Sequence, residues 1–359
     1  MSHNPEEAYN DLPLLPPKAD LETKQILKLA IEANKALAEL NFASKMLPDP
    51  TVLINTIPLQ EAKASSEIEN IVTTSDELFR ASFSDSGSMD PAVKETLRYR
   101  QALKAGCEML SHRPITTNLI CEICSIIKNA EMNIRKVPGT QIKNMTTGDV
   151  LYTPPEGERV IRDLLSDWEK FLNENNEYDP LIKLAVLHYQ FEAIHPFIDG
   201  NGRTGRILNM LYLIYERLLA YPVLYVSGYI IKHKADYYRL IREVTANGNW
   251  EDWIIYILQG VKEASLDTVR RTESISALMK QTYEDIKRLT PNIPAKEMSE
   301  IIFTQPYCRV RNLVDSGVAK RQTAMLYLKA LKDAGILESV KSGREVLFVN
   351  RRFLDILTA

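Results

Sequence analysis

The chain has 359 residues, 45% of them hydrophobic and 25% charged, with a formal net charge of −3. That composition is ordinary for a folded soluble protein, the length suits two or more domains, and the small net charge gives no overall pull toward nucleic acid or a membrane surface. The opening Met-Ser-His-Asn-Pro-Glu-Glu is no secretory signal, and apolar runs such as Leu211–Leu219 are broken by Glu216 and Arg217, so a cytoplasmic chain without a membrane span is expected.

Residues 1–90 read as an N-terminal helical region. To about Lys18 the chain is proline-rich, with Leu12-Pro-Leu-Leu-Pro-Pro-Lys18 expected to lie extended along the body. Helices follow from Leu21 to about Ala81. Within them Leu59–Val72 is helical in pattern and sets Glu61, Ser65 and Glu69 on one polar stripe, which by default is a solvated face. Thr74-Ser-Asp-Glu77 has the form of a capping box, Ser82–Met89 is a polar loop, and Asp90-Pro91 opens another helix.

Residues 91–264 form the expected helical core. Cys121-x-x-Cys124 has no second pair and lies in an apolar run, so packing is its simplest role; with Cys107 and Cys308, four cysteines are too few for a disulfide scaffold. A reduced compartment fits. Val137–Pro155 breaks the helical pattern: Thr140–Ile142 and Val150–Thr153 are β-prone and flank Thr147-Gly148-Asp149, a hairpin-like signal that a plain surface loop would also satisfy. His188 precedes His195 by seven residues, but no His-Glu-x-x-His spacing supports zinc, and His188 reads as a hydrogen-bonded core residue.

The most informative stretch is His195-Pro-Phe-Ile-Asp-Gly-Asn-Gly-Arg-Thr-Gly-Arg206, set between the apolar segments Leu181–Ile194 and Ile207–Leu219. Asp199, Gly200, Asn201 and Gly202 make a turn whose small residues let backbone N–H groups converge on an anion. From about Arg203 the chain reads as a helix, so the turn sits at a helix N-terminus, which favours phosphate. Arg203 and Arg206 share a helix face and can fork onto phosphate oxygens; Asn209 extends that face. A lone Asp199 suits Mg²⁺, which is commonly held by one or two carboxylates, substrate phosphates and water. His195 is placed to take a proton near neutral pH. A structural histidine beside an ordinary helix–helix turn is the bland alternative, and the number of compatible roles in fixed order weighs against it.

Downstream, Tyr237, Tyr238 and Trp250-Glu-Asp-Trp253 supply aromatics that usually pack helices. Residues 265–294 read as an amphipathic connecting helix, Ser265–Leu289, closed by Thr290-Pro-Asn-Ile-Pro294. From Ala295 the chain carries 11 Lys and Arg against 7 Asp and Glu. Helices from Lys296, around Arg309–Asp315 and from Lys320 to Ala334 precede two strands in Ile336–Val349 around Ser342-Gly343. The order resembles a winged helix-turn-helix, with Lys320, Arg321, Gln322 and Thr323 opening the third helix and Lys341 and Arg344 in the wing. DNA is one partner for residues 295–359; a protein-interaction or dimer module is the other, since fold does not fix function.

Residues 195–206 resemble the signature of the Fic family, H-P-F-x-[DE]-G-N-G-R-x-x-R, at every specified position. The resemblance implies a mainly α fold, a Fic-type helical core with a small β-hairpin flap, here followed by the α+β module. It implies an enzyme that moves AMP from ATP, with Mg²⁺, to a Tyr, Ser or Thr hydroxyl of a target protein and releases pyrophosphate. His195 would deprotonate the hydroxyl and Asp199 would hold Mg²⁺. Asn201, Gly202 and Arg203 would cradle the α- and β-phosphates and Arg206 the γ-phosphate, with Ile198, Gly200, Thr204, Gly205 and Asn209 as further ATP contacts. Tyr237 or Tyr238, and residues near Thr245, would border the adenine. Doc-like kinases replace the second glycine of G-N-G with lysine, so Gly202 favours nucleotidyl transfer.

Ser65, Glu69 and Asn70 likewise resemble the family's inhibitory motif [ST]-x-x-x-E-[GN], in which the glutamate pairs with Arg206 and displaces the γ-phosphate. The implied control lies within the chain; self-modification and a homodimer that repositions Glu69 are compatible with it. Val137–Pro155 would be the flap that aligns a target segment by strand-like bonds. Two other readings stand beside this one: a nucleotide-sensing DNA-binding regulator, and removal of AMP from modified proteins.

Overall fold

The computed structural model describes residues 4–82, 89–143, 147–174, 177–342 and 345–358. In chain order, α1 (Lys24–Met46), α2 (Thr51–Ile68) and α3 (Ser75–Ala81) precede α4 (Pro91–Leu110) and α5 (Thr117–Lys128). A hairpin of β1 (Ile142–Lys143) and β2 (Val150–Tyr152) is followed by α6 (Glu158–Asn173), α7 (Pro180–Ile194) and α8 (Asn201–Tyr215). Then come α9 (Val226–Lys232), α10 (Lys234–Asn247) and α11 (Trp250–Leu289). The C-terminal module contains α12 (Ala295–Thr304), β3 (Tyr307–Cys308), α13 (Val310–Asp315), α14 (Arg321–Asp333), β4 (Glu338–Ser342), β5 (Glu345–Val349) and α15 (Arg351–Thr358). The fold is mainly α, as expected.

The centre is α7 against α8. Leu181, Ile182, Leu184, Val186 and Ile194 bury α7 on all sides, which is why its sequence shows little amphipathic period. Asp179 caps it by accepting from the Leu181 N–H, with Pro180 at the first helical position where its missing N–H costs nothing. Buried indoles need hydrogen-bond partners. Trp168 of α6 donates to the Leu187 carbonyl at 2.9 Å and Trp253 of α11 to the Ala185 carbonyl at 2.8 Å, tying both helices to α7. The N-terminal helices are part of this body: α1 lies along α11, and α2 is packed by α4 and α9. The proline-rich segment runs over the surface, with Leu15 N–H on Asp167 and the Pro13 carbonyl accepting from Gln190. The Thr74–Glu77 capping box forms in both directions.

Several expectations change. The helix expected over Leu59–Val72 starts eight residues earlier, at Thr51, and stops at Ile68. Asn70 takes a left-handed φ of 63° and turns the chain out, a conformation asparagine tolerates better than most residues. Glu61 and Ser65 do not face solvent; both are buried. Glu61 accepts from Ser227 N–H at 2.9 Å and from the Ser227 hydroxyl, pinning α2 to α9. α8 begins at Asn201 rather than near Arg203. α11 runs unbroken through residues 264 and 265, so a single helix leads out of the core toward the C-terminal module.

The hairpin pairs Ile142 with Tyr152 and Lys143 with Val150, antiparallel. In the C-terminal module a third strand and a last helix accompany the two expected strands, and the sheet order is β3-β5-β4. Lys320, Arg321 and Gln322 are exposed at the start of α14. Residues 1–3, most of the Ser82–Met89 loop (83–88), 144–146 of the flap, and Gly343 and Arg344 of the expected wing lie outside the described residues.

Candidate active site

The turn between α7 and α8 is built by local backbone chemistry. His195 ends α7 in the left-handed region, φ 49°, which is uncommon for a residue with a Cβ and marks a constrained position. Gly200, at φ 87°, provides the second left-handed step before α8. Asn201 holds the turn closed: its side-chain carbonyl accepts from Phe197 N–H and its amide donates to Phe197 O, both at 2.8 Å. Arg135, an unforeseen buried residue, donates through Nε to the His195 carbonyl at 2.8 Å and also bonds the Pro155 carbonyl, linking turn to flap. Tyr152 of β2 donates to Ala193 O at 2.8 Å, fixing the other side.

His195 Nδ1 lies 3.3 Å from the Glu192 carbonyl. A carbonyl only accepts, so Nδ1 carries the proton and Nε2 is left as the base. Burial pushes the imidazole down to about 4, against the opposing effects of the Glu192 carbonyl, Glu69 and Asp199. The ring is therefore neutral at neutral pH. Glu192 itself is driven up to about 7 by burial, and one of its carboxyl oxygens is buried with no hydrogen-bond partner.

Arg206 forms the first charged pole. Its side chain is 1% exposed. Nε donates to Ser65 Oγ at 2.7 Å, and Nη2 donates to Ser65 O at 2.9 Å and to Glu69 Oε1 at 2.7 Å. Burial alone would raise the Glu69 carboxyl, but Arg206, with Arg203 and His195 adding, holds it below its ordinary value. Gly202 makes room for this pair, because a Cβ there would strike Glu69 Oε1. Asn70 receives a 3.5 Å contact from Lys234.

Arg203 and Asp199 form the second pole. Arg203 donates to Glu95 of α4 at 2.5 Å and lies 3.8 Å from Asp199. Lys128, at the end of α5, pairs with Asp199 and sits 3.5 Å from Glu95. The Asp199 carboxylate is more than half exposed and is held low by Lys128, Arg203 and the Gly200 N–H against its own desolvation. Among the described residues no three His, Cys, Asp or Glu side chains cluster as a metal cage. A single accessible carboxylate beside an anion-binding turn still has the chemistry Mg²⁺ uses when phosphates supply most ligands.

A cavity of about 520 Å³ opens over the first pole. Glu69, His195, Gly202, Arg206, Tyr238 and Thr245 line it, and so does Glu192. Of the residues singled out in the sequence, the structure thus brings Glu69, His195, Gly202, Arg206, Tyr238 and Thr245, together with Tyr237, to one cavity. Others sit apart. Ile198 is 71% exposed outside it, Thr204 is buried, Gly205 faces Glu192 and Phe191, and Asn209 borders a small space between α6, α7 and α8. Tyr237 lines the cavity as well, 2% exposed, and its hydroxyl meets His188 Nε2 at 2.9 Å. His188 is the core residue expected: it stacks on Trp253 and burial lowers it to about 3. Glu95, Lys128, Arg135 and Glu192 were not foreseen, since each reaches the site from a segment with no motif.

Known proteins share this architecture. Residues 27–108 match the Fic/DOC family N-terminal region and residues 114–213 match the Fic/DOC family, together more than half of the chain. The chain belongs to the Fic/DOC family. Residues 278–353 also match the C-terminal domain of protein adenylyltransferase SoFic-like proteins. A Caenorhabditis briggsae protein adenylyltransferase, fic-1, is 31% identical over 211 residues, covering 56% of this chain and 38% of its own length. A probable protein adenylyltransferase of Aquifex aeolicus is 26% identical over 287 residues, covering 77% and 82%. This Fic/DOC chain thus spans well under half of the nematode relative and most of the bacterial one. A Fic family protein from Desulfovibrio desulfuricans has the same fold, with a TM-score of 0.60 and 18% identity over 93% of this chain and 98% of that one. No helix among the described residues is long and apolar enough to cross a membrane.

Proposed function

We propose that this Fic/DOC protein is a protein adenylyltransferase that transfers AMP from ATP to a hydroxyl side chain of a target protein and is restrained by its own Glu69. The observation that carries the reading is His195 with a free Nε2 on the same cavity as Gly202 and Arg206. A nucleotide sensor would need the anion turn without a base. Relatives named protein adenylyltransferase support the reaction class.

In the proposed reaction, His195 Nε2 takes the proton of the target hydroxyl as the oxygen attacks the α-phosphorus. One P–O bond forms to the target, and the bond to the β-phosphate oxygen breaks, releasing pyrophosphate. The N–H groups at the start of α8, with Gly202 leaving the backbone open, would hold the phosphates. Arg206 would fork onto the terminal phosphate. Asp199 would hold Mg²⁺ together with the phosphates, and that ion would supply charge neutralisation there; Lys128 must first release the carboxylate. The β1–β2 hairpin, beside the cavity, would present the target segment.

Glu69 occupies the partner site of Arg206, so a nucleotide must displace it to reach its full complement of contacts. Removing one partner of a fully buried pair costs roughly 3–5 kcal/mol; the Glu69 side chain is 35% exposed, so solvent screening lowers the figure to about 2 kcal/mol, which still disfavours displacement. The test is label transfer from α-³²P-ATP and Mg²⁺ to the protein and to host lysate, using wild type, Glu69→Gly and His195→Ala. Label in Glu69→Gly that is lost when His195→Ala is added is expected. Nucleotide binding with no label in any variant would sink the transferase reading, and equal label in wild type and Glu69→Gly would sink the restraint.

A further inference from the structure

Away from the reactive cavity, α4 carries Lys94, Arg98, Gln101 and Lys104 along one helix face, over about three turns or roughly 15 Å. These residues, with Arg100 and Asn129, line a cleft of about 630 Å³ between α4 and the ends of α3 and α5. No carboxylate among the described residues lines it. Lys94, Arg98 and Arg100 have no ion-pair partner among the described residues, and Lys104 has only a 3.9 Å solvent-exposed contact with Glu108.

Arg100 is the unusual member. Its guanidinium is partly buried, and Nη2 donates to the side-chain oxygen of Asn55 on α2 at 3.3 Å, a neutral partner. Burial pulls it below its ordinary value with no nearby charge opposing the shift. A partly desolvated cation normally sits beside a carboxylate, as Arg203 and Arg206 do in this chain. Guanidinium forks match phosphate oxygens, and several cations in one cleft reinforce each other for a multiply charged ligand.

We propose that this cleft is a second anion site, taking a small ligand with two or more linked phosphates. The extended spacing from Lys94 to Lys104 suits linked phosphates better than a single one. Asn129 directly succeeds Lys128 and Lys94 directly precedes Glu95, so the cleft lies beside the Arg203–Asp199 pole without sharing its residues.

The test is calorimetric titration of the full chain with sodium tripolyphosphate at low salt, in an Arg206→Ala background that weakens anion binding at the reactive cavity. One site is expected to remain, and adding Arg98→Ala with Lys104→Ala should weaken it at least tenfold. Neutralising Lys24 and Lys28 on α1 instead should leave it unchanged. Undiminished binding in the cleft variant, or an equal loss in the α1 variant, would overturn the proposal. Arg98→Lys, which keeps charge, must retain binding within about threefold; this holds the test if the double variant unfolds. Repeating the titration with ATP separates sources: tighter binding than tripolyphosphate assigns a nucleotide, equal binding assigns the phosphate chain, and no binding of either refutes the site.

Discussion

Arg203 and Arg206 are one turn apart on α8, yet they are satisfied in different ways. Arg206 is sealed by α2, with Ser65 and Glu69 as its partners and almost no solvent contact. Arg203, equally buried, is met by Glu95, with Asp199 as a second carboxylate and Lys128 bridging both; only Asp199 is largely exposed. One pole rests on a single carboxylate, Glu69, whose side chain is 35% exposed; the other is a four-membered charge network in which only Asp199 is largely exposed. A lone pair concentrates its free energy in one contact, whereas a network spreads it over several.

The same substitution at each pole tests that contrast most directly. Glu69→Gln should destabilise the fold by about 2 kcal/mol, since it leaves the buried Arg206 guanidinium without an opposing charge, less the screening that the partly exposed carboxylate already meets. Glu95→Gln should cost under about 1 kcal/mol, because Asp199 still faces Arg203. Urea unfolding reads both, and equal costs would erase the distinction. Next, Glu69→Gly should raise label transfer on the order of thirtyfold, the equivalent of about 2 kcal/mol. ATP should also raise its melting temperature more than that of wild type, because phosphate oxygens then meet Arg206.

A pH profile sharpens the comparison further. With His195 lowered to about 4 from an ordinary 6.5, the unfolded state binds more protons between those values, so His195's contribution to stability falls as pH drops through that window. The acid limb of kcat/KM in Glu69→Gly should therefore lie below pH 5. A limb near 7 that disappears in Glu192→Gln would assign it to Glu192 instead. The Glu69 carboxylate is held below its ordinary value, so the clamp stays intact at neutral pH and is lost only as pH falls through that depressed range. The smallest effect expected is on rate in Glu95→Gln, a change of less than about fivefold in label transfer.

The site was legible where chemistry is contiguous. Residues 195–206 carry the turn, the base and both arginines in order, and Ser65, Glu69, Tyr238 and Thr245, singled out beyond that stretch, meet Arg206 or its cavity. Partners that approach from elsewhere were not legible. Glu95 and Lys128 look like ordinary helix-surface charges until α4 and α5 are packed on the turn. Glu61 stands on a polar stripe whose default is a solvated face, and nothing in the sequence points to Ser227, which satisfies it inside. In the C-terminal module the helix order was readable from pattern, but β3 has two residues, too few for any period to register.

Gly202 links the two demands made on this turn. The space where a Cβ would collide with Glu69 is the space a phosphate needs to approach the start of α8. A larger residue there would evict the carboxylate and obstruct the nucleotide together. Under the proposed restraint, a substitution at Gly202 would therefore not free the site, whereas loss of Glu69, or of the Ser65 contact that seats Arg206 beside it, would.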